Sequence, residues 1–160
     1  MSSVLNLRQA AELFGGVVAE HTRLALEADL IEELRSITVF DDVAPTLGAL
    51  RDRGIKIALC SNLAAPYGPP VLDLLPIKPD FCAWSYEAGA VKPQDAIYRY
   101  LCAGIDCRPD EVLMIGDTPE ADMLGPRRFG MQGFHLDRRP HASGAEGRLL
   151  SLVQVLDHLG

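Results

Sequence analysis

From about residue 37 onward, short apolar runs and helical stretches take turns along the chain, and this alternation constrains the fold more than any other feature. Ile55 to Cys60 (IKIALC), Phe81 to Ser85, Glu111 to Ile115 and Gln132 to Leu136 are short and apolar enough to be buried strands. Helical spacing lies between them. Pro45 to Arg53 has Pro in its first turn and Gly54 as its stop, and Val71 to Leu75 is a shorter helix. Gln94 to Ala103 follows, then Pro119 to Phe129, closed by Gly130. After a polar loop from Asp137 to Gly147, Arg148 to Leu159 is expected to form a last amphipathic helix. Such alternation predicts an α/β fold: a parallel sheet with helices on both faces and right-handed crossovers. Ile37 to Phe40 is one more β-prone run, ended by Asp41-Asp42.

The N-terminal stretch is different. Leu7 to Phe14 and Val17 to Leu34 have helical spacing, with Gly15-Gly16 as a break. Val18, Leu24, Leu26, Leu30, Ile31 and Leu34 stand among acids and Arg23, so the pair reads as a helical hairpin that must pack on something. An amphipathic pair with nothing of its own to cover is a candidate homodimer surface.

A length of 160 residues and 48% apolar content suit one domain with a real core. The net charge of -7 argues against a nucleic-acid surface, which is normally basic. It leaves room for an anionic substrate, because a bound cation reverses the local field. Cys60, Cys82, Cys102 and Cys107 form no CxxC pair and read as reduced core thiols rather than a zinc site. Met1 to Asn6 lacks a basic region followed by an apolar one, and no run reaches bilayer length. The expectation is a soluble, cytoplasmic protein without membrane contact.

Three polar signals sit at strand ends or just before helices: Ser61-Asn62 after IKIALC, Lys92-Pro93, and Gly116-Asp117 with Asp122 after VLMI. In a parallel sheet all strand C-termini share one edge, so these groups can converge. A hydroxyl and backbone N–H can hold a phosphate, a Lys can neutralise it, and carboxylates can hold Mg²⁺. Singly each is weak, since a Ser after a strand is often a helix cap and a Lys before Pro is usually solvated. Their order and matched positions strengthen the set.

The text around these residues resembles the haloacid dehalogenase (HAD) superfamily of hydrolases. VAPTLGALRDRGIKIALCSN is similar to the segment leading to that family's second motif, AVKPQDAIY to its third, and VLMIGDTPEADMLGPRRFGM to its fourth. The resemblance covers roughly residues 42 to 137. It implies a HAD-like Rossmannoid core over 37–160, with residues 1–36 as the helical remnant of a cap. It also implies Mg²⁺-dependent phosphoryl transfer through an aspartyl-phosphate, on a small phosphorylated metabolite. Carried over by position, Ser61 and Asn62 bind the phosphate and Lys92 steadies nucleophile and phosphate. Asp117 ligates Mg²⁺, with Asp122 supporting or sharing that role.

The family's first motif, an apolar strand ending in Asp-x-Asp, is absent from the N-terminal third. Two arrangements are open. In one, ITVFDDVAP is the return segment from cap to core and the central strand is missing, which leaves two strand edges unpaired. In the other, Ile37 to Phe40 slides into the central position and carries Asp41 to the nucleophile's place, with Val43 where the second acid belongs. Losing that acid typically costs on the order of 10² to 10⁴ in rate. Asp41-Asp42 could equally serve only to favour the dipole of the following helix. The non-enzymatic alternative is a degenerate HAD-like domain that binds an anion or a protein partner.

Other chemistries fit less well. Ser61 lacks a G-x-S-x-G frame, and no P-loop or G-x-G-x-x-G follows a strand. His135 and His141 read as solvated rather than metal-ligating. A receiver domain also places acids and a Lys at strand tips, but the D-x-x-x-x-D spacing of Asp117 and Asp122 favours the HAD pattern.

Overall fold

The computed structural model describes residues 13, 15, 17–139 and 146–159. The fold is α/β, with every strand pairing parallel, but the sheet is in two pieces. Strand β1 (Ala58–Ser61) pairs with β2 (Phe81–Trp84), opposing Ser61 to Trp84. Strand β3 (Leu113–Gly116) pairs with β4 (Gln132–Leu136), opposing Gly116 to His135, and β4 pairs in turn with β5 (Arg148–Leu149). Among the described residues, strands β1 and β3 are each paired on one side only.

The helices in chain order are α1 (Glu20–Ser36), α2 (Val43–Asp52), α3 (Gly68–Leu74), α4 (Ser85–Ala88), α5 (Asp95–Ile105) and α6 (Gly125–Phe129). Helix α5 holds the two sheets together. Its Ile97, Tyr98, Leu101 and Cys102 are buried along one face, at the spacing an amphipathic helix presents to a core. They join Ala83 of β2 with Val112, Met114 and Met131 in one cluster, against which Ala58 and Cys60 of β1 also pack. Gly104 lies so close under the Phe81 ring that any side chain there would collide with it. The four cysteines are free thiols. No helix among the described residues is long and apolar enough to cross a membrane.

Three expectations need correction. Ile37 to Phe40 forms no strand. Distant contacts hold it elsewhere: the Arg138 guanidinium lies 4.1 Å over the Phe40 ring, and Asp42 takes both Arg138 nitrogens at 2.6 and 2.8 Å. The expected last helix is instead β5 followed by a 3-10 segment, Leu152–His158. The open edge of β4 captures that stretch, because its backbone groups need partners: His135 N–H donates to the Gly147 carbonyl and Asp137 N–H to that of Leu149, both at 2.8 Å. Pro119 to Phe129 opens with a π-helical turn, Pro119–Leu124, before α6 begins. Of the two N-terminal helices, Leu7 to Phe14 lies outside the described residues except for Leu13. The other is α1, which buries no residue at all.

Candidate functional site

The site begins at the tip of β1. Asn62 grips the backbone of Lys92 from both sides: its Nδ2 donates to the Lys92 carbonyl at 2.9 Å, and its Oδ1 accepts the Lys92 N–H at 2.6 Å. The Lys92–Pro93 peptide held in this way is cis. The fixed backbone aims the Lys92 side chain inward, where Nζ donates to Asp122 Oδ1 at 2.6 Å. Only 11% of the Lys92 side chain and 4% of the Asp122 side chain are exposed, so this ion pair is shielded from water and salt.

Asp122 comes from the π-helical turn after β3. Its second oxygen, Oδ2, accepts the Thr118 N–H at 3.0 Å. Its carboxyl group lies directly on Gly116, so a side chain at 116 would occupy the same space. Glycine at this strand tip therefore allows the carboxylate to fold back against the sheet. Tyr98, fully buried, secures the turn from the other side by donating its hydroxyl to the Ala121 carbonyl at 2.6 Å.

Asp117 projects from the tip of β3 and is exposed. Its carbonyl faces His135 Nε2 at 3.1 Å. A carbonyl can only accept, so the imidazole must carry its proton on Nε2 in this contact. Ser61 closes β1, half-buried, and its hydroxyl has no hydrogen bond among the described residues. Beside it, burial pushes the Cys60 thiol up to about 11, with Lys92 opposing and Asp122 adding to the shift.

Asn62, Lys92 and Asp122 are thus brought together, Ser61 precedes Asn62 at the tip of β1, and Asp117 adjoins Asp122 through Thr118. Asp41 is not among them. It is exposed and forms no hydrogen bond or ion pair among the described residues. The neighbouring Asp42 is the structurally engaged acid, bound to Arg138, the Ser151 hydroxyl and the Leu152 N–H. His135 had no assigned role in the sequence, yet it fixes the backbone of Asp117. The register of β4 against β3 is the signal that finds it, since it sets His135 opposite Gly116. His141 lies outside the described residues.

Each oxygen of Asp122 accepts one hydrogen bond and keeps capacity for a cation, while Asp117 is the exposed carboxylate at the strand tip. No group of three or more His, Cys, Asp or Glu side chains converges on a metal position among the described residues. Mg²⁺ keeps several waters and commonly takes one or two carboxylates together with substrate phosphate, so a single exposed Asp fits it in part.

Asn62→Ala removes both bonds to the Lys92 backbone. Water can replace them at this exposed position, so the expected loss is about 1 kcal/mol of stability. Urea denaturation monitored by the single tryptophan, the buried Trp84, measures it. A loss as large as that of removing Lys92 itself would show that Asn62 does more than hold this backbone.

A family model described as haloacid dehalogenase-like hydrolase matches residues 4–130. The chain is 28% identical over 145 residues to a ribulose-1,5-bisphosphate 5-phosphatase of Halopiger xanaduensis, covering 89% of this chain and 61% of that protein. It is 28% identical over 138 residues to a phosphoserine phosphatase of Thermus thermophilus, covering 82% of this chain and 53% of that protein. The chain therefore spans between half and two thirds of the length of these curated relatives. Among solved structures, a HAD phosphatase from Thermococcus onnurineus superposes with a TM-score of 0.69 at 23% identity, over 93% of this chain and 68% of that one.

Proposed function

Because the chain belongs to the haloacid dehalogenase-like hydrolases, we propose that it carries the phosphate- and Mg²⁺-binding half of a phosphohydrolase site for a small phosphorylated metabolite. The observation that supports this best is the clasp of Asn62, Lys92 and Asp122, which holds one ammonium at the shared edge of both sheets. Lys92 spends one of its three donors on Asp122 and keeps two for a phosphoryl oxygen. The unengaged Ser61 hydroxyl at the tip of β1 is the second phosphate contact. Asp122 acts through Lys92 and Thr118, orienting both.

Asp117 is the residue that would hold Mg²⁺, which when bound would offset charge on the phosphoryl group. His135 keeps Asp117 in place by fixing its carbonyl. On this reading residues 1–36 are what this chain has of a cap, and 37–160 the core.

The attacking carboxylate is the weak point. Asp41 follows a run that is not a strand, and no contact among the described residues leads it toward Lys92. That favours the second reading, in which the chain by itself binds an anion without turning it over. Mg²⁺-dependent hydrolysis of an aryl phosphate separates the two. The expected result is no turnover from either the native chain or Asp41→Asn. Turnover that disappears in Asp41→Asn would show that Asp41 attacks after all.

The binding half is tested separately. Asp117→Asn is expected to abolish Mg²⁺ binding in calorimetry while leaving the fold intact by circular dichroism. Unchanged Mg²⁺ affinity would remove Asp117 from the metal's coordination.

A further inference from the structure

Helix α5 ends in a turn that places two cysteines against each other. Asp106 adopts a φ of 51°, in the left-handed region, and is the single non-glycine residue to do so among the described residues. That conformation folds the chain back onto the helix. Cys107 N–H donates to the Cys102 carbonyl at 3.1 Å, and Asp106 N–H to that of Ala103 at 3.4 Å, the paired bonds of a Schellman cap. With standard backbone dimensions, the first bond keeps the two α-carbons within about 7 Å, beyond which two cysteines cannot be bridged without backbone movement. The side chains at these two positions of the cap commonly touch. Here Cys102 is 8% exposed within the core cluster, and the half-buried Cys107 packs against that cluster. The Lys56 ammonium secures the turn by donating to the Ile105 carbonyl at 2.7 Å, an oxygen that also accepts the Cys107 thiol at 3.6 Å.

We propose that Cys102 and Cys107 form a modification site, a dithiol that a hydroperoxide converts to an intramolecular disulfide. The half-buried Cys107 reacts first. Its thiolate attacks one oxygen of hydrogen peroxide, the O–O bond breaks, and the sulfur becomes a sulfenic acid as hydroxide leaves. The Cys102 thiolate then attacks that sulfur, forming the S–S bond and expelling a second hydroxide. The two hydroxides take up the protons that the thiols released, so two thiols and one peroxide give one disulfide and two waters. Burial pushes the Cys102 thiol up, and Cys107 adds to the shift, which suits Cys102 to resolve the sulfenic acid rather than to attack first. The other two cysteines are kept apart. The register of β1 on β2 sets Leu59 opposite Cys82 and Cys60 opposite Ala83, so Cys60 and Cys82 point to opposite faces of the sheet. The pair lies at the far end of α5 from Lys92, so the proposal does not rest on phosphoryl transfer.

The test uses the native chain with neither substrate nor metal present. Hydrogen peroxide is added and then removed with catalase, the chain is unfolded, and free thiols are alkylated before digestion with trypsin. Trypsin spares Arg–Pro bonds, so residues 100–127 form one peptide that holds Cys102 and Cys107, while Cys60 and Cys82 lie outside it. Alkylation of that peptide should fall from both cysteines to neither. Methionine oxidation aside, it should be about 2 Da lighter than its dithiol form, the mass of the two hydrogens lost. Dithiothreitol should restore both thiols. The loss should run at least about tenfold faster than loss of alkylation at Cys60 or Cys82, at a rate independent of protein concentration. In Cys107→Ala, Cys102 should stay open to alkylation. In Cys102→Ala, Cys107 should stop at a sulfenic acid that dimedone traps.

Several results would overturn the proposal. One is full alkylation of Cys102 and Cys107 at a peroxide dose that oxidises the half-buried Met123 of the same peptide. Another is a sulfinic acid on Cys107 beside a Cys102 that is still a free thiol, which would mean that the two sulfurs do not meet. A disulfide that joins two chains, or loss of alkylation as fast at Cys60 and Cys82, would remove the special standing of the pair. Oxidation of Cys102 in Cys107→Ala at the native rate would do the same.

Discussion

Lys92→Met is expected to cost about 3–5 kcal/mol of folding stability, the typical penalty for removing one member of a buried ion pair. Met preserves the length and apolar stem of the side chain, so the loss is chiefly of charge. Asp122, 4% exposed, would then face its surroundings with only the Thr118 N–H as a donor. The position makes the damage greater than local, because Lys92 joins the tip of β1, through Asn62, to the turn that follows β3. Equilibrium urea unfolding followed by Trp84 fluorescence reads the loss. The double variant Lys92→Met/Asp122→Asn removes both charges and should recover most of it, since a neutral pair carries no stranded ion. If the double variant is as unstable as the sum of its two single variants, the pair is not coupled and the clasp is misread.

Acid is expected to remove a second clasp. Asp42 accepts two bonds from Arg138, one from the Ser151 hydroxyl at 2.7 Å and one from the Leu152 N–H at 2.8 Å. The Arg138 guanidinium holds this carboxyl far below the ordinary carboxylate range. Burial opposes the shift, and Ser151 and Leu152 add to it. The folded chain therefore releases this proton more readily than the unfolded chain, whose Asp titrates near about 3.9. The resulting stability is fully present above about pH 5 and fades as pH falls below it toward the folded-state value. Asp42→Asn should lower stability at pH 7 by about 2–3 kcal/mol, as expected for losing bonds to a charged acceptor. Urea midpoints of the two proteins should converge as pH drops from 7 to 3. Asp137 is also held low, by Arg139 first, so both proteins lose stability in acid and the difference between them isolates Asp42. A gap that stays constant across that range would show that the charge of Asp42 is not what binds it.

These two clasps also separate what could be read from the sequence from what could not. Gln132–Leu136 matched its expected bounds, and β1, β2 and β3 lie within one to three residues of theirs, because short apolar runs between turns leave few alternatives. The meeting of Lys92 and Asp122 was legible for the same reason, since parallel strands deliver their C-termini to one edge. Ile37 to Phe40 was not, because its fate depends on Arg138, 96 residues beyond Asp42. Local β-propensity carries no information about a partner that distant. Arg148 and Leu149 were misassigned similarly: helical spacing was present, but the open edge of β4 offered those residues backbone partners. His135 required the register between two strands, and Asn62 required knowing where the Lys92 backbone passes.

Helix α1 leads to a different kind of consequence. It runs for 17 residues without burying one, and Leu24, Leu26 and Ile31 are 53%, 44% and 50% exposed. Arg23, bonded to Glu20 and Glu27, stabilises the helix from within rather than against the core. Surface ion pairs of that kind contribute little, and an isolated helix of this length is marginal in water. Substitutions at its exposed Leu24, Leu26 and Ile31, away from Glu33 and its bond to Tyr67, therefore leave the stability of the folded body almost unchanged. Packing within the body leaves those three positions free to drift during evolution. Any restraint found on Leu24, Leu26 or Ile31 across descendants of this sequence would record a contact made beyond that body.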